Sequence, residues 1–454
     1  MRIRTRRSIP ASLLLALAGS PALAGGPMFS NTLGTPGMSG SYVASFSAYD
    51  DGSGEALYAT GQFNAVGVAG TSNLAKWNGS AWESVGGGLI NQYSNALTTF
   101  QGDLIAGGYF DSAGGVAGTE KLARWDGSAW HSMGAESSSF LNSIWDLVVW
   151  DDGTTGEQLY IAGNYVDIGG AGGPDHISKW DGTTYTEVGG TIGGAVPLIV
   201  LDLLVADLGD GEKLYASGRF LNIGGVPANN VAVWDGNTWA ALGDGIRPTA
   251  GFAQGIHMVA WDDGNGMALY VGGSFGLAGG NPALRVAKWD GANWSPMGDG
   301  FDLTVQELVV FDDGSGEALY ALGSFTHSGA APVAHIARWN GSSWEQVGAG
   351  ADGNVLGALV YDAGEGVGLQ IGGGFANAGG LASSQVVTLL AQTSAGCNAA
   401  DLAEPYGQLD FSDVVAFLVA FGNQDPAGDL AAPMGQWDFS DVVEFLTVYG
   451  GGCP

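Results

Sequence analysis

Only two cysteines, Cys397 and Cys453, occur in 454 residues. That scarcity excludes a disulfide-dense scaffold. Histidine is equally sparse, at positions 131, 176, 257, 327 and 335, with no tight His–x–x–x–His or His/Asp group. Neither a Gly-x-Ser-x-Gly elbow nor a zinc motif stands out. A ring-shaped fold could still gather distant histidines near its axis. No stretch beyond the start of the chain is long and apolar enough to span a bilayer.

Positive charge is the next shortage, with 14 lysines and arginines against 45 acidic residues. Four of the basic residues, Arg2, Arg4, Arg6 and Arg7, precede a short apolar run (12–18) and Ala22-Leu23-Ala24. This is the layout of a secretory signal over residues 1–24, so an exported protein is expected, secreted or attached to the cell surface. Without that segment, ten basic residues face 45 acidic ones, a net charge of −35. Such a surface repels nucleic acid and anionic lipid, and it suits saline or calcium-containing surroundings.

What the chain has in quantity is glycine, 80 residues, and tryptophan, 15. Trp77, Trp125, Trp180, Trp234, Trp289 and Trp339 each sit in a segment like Ala-Lys-Trp-Asn-Gly-Ser-Ala-Trp, at intervals of 48, 55, 54, 55 and 50 residues. A strand such as Leu-Tyr-Ala-Thr-Gly-Gln-Phe (57–63) comes before each one. A unit of this length holds one four-stranded sheet, and units stacked around an axis make a β-propeller. In the copy at 303–348, strands are predicted at 305–311, 318–325, 335–339 and 343–347. Asn-Gly or Asp-Gly turns between aromatic strands are strong hairpin signals, because both turn residues must accept positive φ.

Six units are complete, and a seventh begins near Asn354 but lacks its last hairpin. The segment 29–34 is expected to supply the missing outer strand, closing seven blades over residues 28–392 and leaving no partial sheet exposed. Glycine pairs such as Gly107-Gly108 and Gly272-Gly273 fit where sheets crowd. Phe63, Phe110, Phe220, Phe275, Phe325 and Phe375 recur at one register and should pack between blades. The repeated tryptophans read as blade structure, the alternative being a carbohydrate platform. Asp-Asp-Gly turns at 50–52, 151–153, 262–264 and 312–314 read as hairpins, the alternative being calcium sites. His335 is aligned with Leu74 and Leu122, a core or strand position. The overall pattern resembles kelch-like and other exported propeller repeat families, which implies a ligand-binding or protein-interaction module.

From residue 393 the composition changes. Residues 400–413 are echoed 28 positions later at 428–441, each copy running into a short periodic segment. Phe411, Val414, Val415, Leu418 and Phe421 are predicted to share one helical face, as are Phe439, Val442, Val443, Leu446 and Tyr449. Cys397 and Cys453 bracket the duplication. In an exported chain they are expected to pair, closing a loop worth roughly 4 kcal/mol on the chain-entropy model; two free thiols are the alternative.

This duplicated loop–helix module, 393–454, resembles a dockerin with Gly-Cys at both ends. The resemblance implies a calcium-assisted helical module that attaches its carrier to a partner protein or the cell surface. Carried over, Asp401, Asp410 and Asp413 are the first loop's candidate calcium ligands, and Asp429, Asp438 and Asp441 the second's. Ala403, Pro405, Ala431 and Pro433 stand where such a loop has further ligands. Caps and solvated turns are the other reading of these aspartates.

Two functions follow. One is a non-enzymatic exported binding or scaffold protein, with the propeller as interaction face and the C-terminal module as anchor. The other is a polysaccharide-active hydrolase or lyase on the same scaffold. That reading gains if unrepeated acids and aromatics from several blades converge on one pocket.

Overall fold

The computed structural model describes residues 27–35, 37–65, 68–135, 143–194, 197–249, 251, 253–391 and 411–423, with 442, 443, 445 and 446. Among them, seven four-stranded antiparallel sheets succeed one another along the chain. Their first strands are Met38–Asp50, Ser94–Phe100, Ile144–Trp150, Ile199–Asp207, Gln254–Asp262, Val305–Asp312 and Val355–Asp362. Each of these packs against its counterpart in the next sheet, and the seventh packs against the first. The result is a cyclic, propeller-like repeat fold.

Neither face of any sheet can be left bare, since both carry alternating apolar residues. The hydrophobic clusters therefore lie between sheets 1 and 2, 2 and 3, 3 and 4, 4 and 5, 5 and 6, and 7 and 1. The recurrent phenylalanines are buried in them, and Tyr165 takes that place in sheet 3. Glycine is required where the sheets meet: a Cβ at Gly107 would lie 2.6 Å from Ile144 of sheet 3. Gly272 meets Val305 at the same distance.

Tryptophans pair across the last hairpin of five sheets, with ring centroids 5.2 Å apart for Trp339–Trp344 and 5.5 Å for Trp77–Trp82, and Trp180 faces Tyr185 in sheet 3. Trp77, Trp125, Trp180, Trp234 and Trp289 are buried and Trp339 is half-buried. Their partners bolt neighbouring sheets together. The indole Nε1 of Trp239, Trp294 and Trp344 donates to Val188, Leu242 and Met297, carbonyls of the preceding sheet. In sheet 3 the Tyr185 hydroxyl donates to Met133 instead.

The same bolt closes the ring. Met28–Ser30 pairs with Val386–Leu390 as the outer strand of sheet 7, and Trp82 Nε1 donates to Leu33 just beyond it at 2.8 Å. The Gln385 side chain of sheet 7 donates to Gly40 in the inner strand of sheet 1.

One register differs from the sequence reading. Strand three of sheet 6 is Ile336–Trp339, so Ile336, and not His335, aligns with Leu74 and Leu122. His335 sits one residue earlier with φ near +68°, as do Asn73, Lys121, His176, Asn230, Arg285 and Gln385 in the other sheets. Each left-handed residue turns the chain into the third strand and donates its N–H to the carbonyl of the recurrent aromatic, as His335 does to Phe325. Three of these side chains staple adjacent sheets: Asn73 donates to Leu89, Asn230 to Ile246 and Gln385 to Gly40.

The Asp-Asp-Gly turns carry their own counter-ions. Asp51 accepts from Lys76 Nζ at 2.6 Å and the Tyr58 hydroxyl at 2.9 Å; Asp152 accepts from Lys179 at 2.8 Å and Tyr160 at 3.1 Å. Asp263 pairs with Lys288. The first aspartate of these turns accepts from backbone, as Asp50 does from Gly52 and Gly54. Partners within the chain thus account for the carboxylates of Asp51, Asp152 and Asp263.

The remaining unit, 391–454, is described only in part. Its helix Phe411–Asn423 places Phe417 against Phe445, rings stacked 4.1 Å apart and both fully buried. The expected face is corrected here: Val415, Leu418, Val443 and Leu446 are exposed, and Phe417 and Phe445 form the core instead. Periodicity alone did not distinguish the two faces, because 414–421 is apolar almost all round.

Burial opposes ionisation of Asp152, but the Lys179 ammonium and Thr154 outweigh it and hold the carboxyl at about 2; Asp51 and Asp263 are lowered likewise. A depressed carboxyl stabilises the fold above its unfolded pKa, and that contribution disappears as pH falls from about 4 towards 2. Lys179→Met should cost about 3 kcal/mol at pH 7, because it strands a buried carboxylate, and should raise the pH midpoint of acid unfolding. Urea denaturation at pH 7 and an acid titration of fluorescence check both. An unchanged acid midpoint would show that the pair does not hold the turn.

Candidate functional site

A β-bulge interrupts the inner strand of every one of the seven sheets at the same level, between Val43 and Ser45, Ser94 and Ala96, Ile144 and Asp146, Val200 and Asp202, Gly255 and His257, Val305 and Glu307, and Val355 and Gly357. A bulge turns one side chain out of alternation and leaves backbone groups unpaired on the inner edge. The residues that follow the bulges are therefore placed to serve the neighbouring strand. In sheets 1, 2 and 7 these are Ser45, Ala96 and Gly357. In sheets 3 to 6 they are Asp146, Asp202, His257 and Glu307, a titratable run.

Each of the first three reaches forward one sheet. Asp146 accepts the Leu203 N–H at 2.8 Å and Asp202 accepts that of Met258 at 2.9 Å. His257 Nδ1 accepts from Leu308 at 3.3 Å. Because Nδ1 is an acceptor, the proton of neutral His257 sits on Nε2, 3.1 Å from Glu307 Oε1 and 3.9 Å from Asp202 Oδ1. Asp202 is almost fully buried, whereas His257 and Glu307 are partly exposed.

Aromatic side chains occupy the same level on the other side of the ring. Tyr93 lies 5.6 Å from Tyr109 and 6.3 Å from Trp145, ring to ring, and Lys121 Nζ stands 4.7 Å above Tyr109. Burial, and then neighbouring Tyr93, push the Tyr42 phenol up to about 12. Tyr42, Tyr93, Tyr109 and Trp145 are all half-buried. The inner strands and their flanks thus carry hydrogen-bonding carboxylates and an imidazole on sheets 3–6 and aromatic side chains on sheets 1–3. Sequence reading missed this arrangement. The available signal was the alignment column just before the large buried residue that follows each bulge (Leu147, Leu203, Met258, Leu308), where small residues give way to four titratable ones.

Asp401, Asp410, Asp429, Asp438 and Asp441, with Cys397 and Cys453, lie outside the described residues; Asp413 lies in the helix, its side chain outside them. Among the described residues no group of three or more His, Cys, Asp or Glu side chains could hold a metal ion. No helix among them is long and apolar enough to cross a membrane.

No protein-family model matches the chain, and no curated protein matches it in sequence. Among solved structures, the extracellular domain of the putative one component system BT4673 from B. thetaiotaomicron is 9% identical, with a TM-score of 0.47 over 80% of this chain and 39% of that one. The Niastella koreensis GH74 enzyme is 15% identical, TM-score 0.40, over 79% and 44%. A putative gluconolactonase is 14% identical, TM-score 0.32, over 82% and 93%. The chain thus spans well under half the length of the first two. Likeness this distant transfers no activity, ligand or partner.

Asp202→Ala should leave the Met258 N–H unpaired and cost about 1–3 kcal/mol, while Asp202→Asn, which keeps an acceptor, should cost less. Urea denaturation of both variants decides it. Equal losses would mean that the contact with Met258 does not matter.

Proposed function

We propose that this chain is an exported, non-enzymatic binding or scaffold protein: a seven-bladed β-propeller over 28–392, closed by its N-terminal strand, with a dockerin-like anchor at 393–454. The ligand face is the axial mouth. The carrying observation is that its polar groups are already committed to backbone: Asp146, Asp202 and His257 each hold the next inner strand. An imidazole that spends Nδ1 on a backbone N–H is poorly placed to exchange protons with a substrate. Rigid, prepaired polar groups beside aromatic surface suit recognition.

The anchoring role rests on the duplication at 400–413 and 428–441 and on Val415, Leu418, Val443 and Leu446, apolar residues exposed at matching places in both copies. Calcium would be held by Asp401, Asp410 and Asp413 in the first loop and Asp429, Asp438 and Asp441 in the second. Three carboxylates per loop suit a hard cation, while Ala403, Pro405, Ala431 and Pro433 leave the remaining positions to backbone carbonyls and water. Cys397 and Cys453 are proposed to form a disulfide that holds the module's ends.

A second reading, a polysaccharide hydrolase or lyase, is favoured by one observation: His257 lies between two carboxylates, Asp202 and Glu307, from adjacent sheets. Incubating the protein with soluble polysaccharides and following new reducing ends or unsaturated products separates the two. No turnover is expected; turnover abolished by Glu307→Gln would replace the binding reading with the enzymatic one. Calorimetric titration of the full chain with calcium is expected to saturate near two ions and to lose that binding in the Asp401→Ala/Asp429→Ala double variant. Absence of binding to the unaltered chain would remove calcium from the anchor.

A further inference from the structure

The seven sheets differ at one place where the repeat would otherwise fill space. The turn joining the first two strands has four residues in sheets 1, 4, 5, 6 and 7, but in sheet 2 it shrinks to Gln101-Gly102, with Phe100 paired to Asp103. At two other boundaries the longer turn reaches the last hairpin of the next sheet. A Cβ on Gly127 of sheet 2 would lie 2.7 Å from the backbone oxygen of Asp51 in the preceding turn, and Trp77 Nε1 donates to Ala363 in the turn of sheet 7. At the boundary of sheets 2 and 3 the equivalent glycine, Gly182, faces only the Gln101 side chain, 3.3 Å from such a Cβ. The shortened turn leaves a cavity of about 400 Å³ between these sheets.

Its chemistry is specific. Asp103 and Arg124 line it as an ion pair, so a guanidinium and a carboxylate present donors and acceptors side by side with no net charge. Gln101 adds an amide and Thr183 a hydroxyl at the rim. Trp180 is buried, lines the cavity and lies 5.8 Å from Phe100, ring to ring, in a tilted arrangement. An anion would meet Asp103, a cation would meet Arg124, and an apolar ligand would leave the pair unsolvated. A neutral ring bearing several hydroxyls satisfies all of them, since each hydroxyl both donates and accepts. The volume lies in the range of small-molecule sites and accommodates one or two sugar rings.

We infer that the cleft between sheets 2 and 3, walled by Gln101, Asp103, Arg124, Trp180 and Thr183, is a binding site for a neutral saccharide unit, separate from the axial mouth. Glycine-rich repetition builds the ring; the one shortened turn opens the site.

Saturation-transfer NMR on the full chain, with D-glucose, D-galactose and D-mannose as probes, tests it. At least one sugar is expected to receive saturation. Replacing Gln101-Gly102 by the Asp-Gly-Ser-Gly of residues 51–54 restores the usual turn and should abolish the signal, with the circular dichroism and unfolding midpoint retained. Arg124→Lys keeps the charge but loses the planar fork, and should weaken binding at least tenfold. Three results would overturn the inference: no transfer to any of the three sugars, transfer unchanged in the turn graft, or transfer abolished by Tyr93→Ala while the graft still binds. The last would assign the sugar to the axial mouth. Competition by sodium acetate or phosphate would likewise contradict a neutral-ligand site.

Discussion

Everything in this chain depends on sheets that cannot cover themselves. Each four-stranded sheet is apolar on both faces, so its stability lies in the two interfaces it makes with its neighbours and not in its own strands. A linear stack would leave two bare faces; a closed ring leaves none. The glycines at Gly107 and Gly272 admit the close approach that this needs, and the Trp239, Trp294 and Trp344 indoles fix each sheet to the one before.

Closure has a functional consequence. Bringing seven inner strands together leaves their edge groups without partners, and the bulges at one common level decide how those groups are satisfied. Sheets 3 to 6 answer with Asp146, Asp202, His257 and Glu307, each but the last bonded to the next strand. The polar side of the mouth is thus first a solution to an edge problem, and its use for recognition builds on groups already held still. The aromatic side, Tyr93, Tyr109 and Trp145, supplies contact area.

Repetition made the architecture legible before any coordinates. Tryptophan spacing, Asn-Gly hairpins and the missing last hairpin of the seventh unit together point to the pairing of Met28–Ser30 with Val386–Leu390. The same repetition concealed the sites. A bulge displaces the register by one residue, so Asp146, Asp202, His257 and Glu307 look like unrelated residues until the strands are paired. His335 was displaced by one for a related reason: a left-handed residue precedes strand three in every sheet, and alternation has no mark for positive φ. The Asp-Asp-Gly turns were ambiguous because their counter-ions, Lys76, Lys179 and Lys288, lie about 25 residues away. In the C-terminal helix the apolar run was too uniform to show that Phe417, and not Leu418, faces inward.

The most direct test of the closed ring is a cross-link between its two ends. Met28 and Leu390 are register partners in the outer edge of sheet 7, and neighbouring antiparallel Cα atoms fall within disulfide reach. In a Met28→Cys/Leu390→Cys variant, mild oxidation of the folded protein should form the 28–390 bridge, identified by peptide mass spectrometry, and raise the urea midpoint. A bridge that forms only after unfolding, or that lowers the midpoint, would contradict closure by the N-terminal strand.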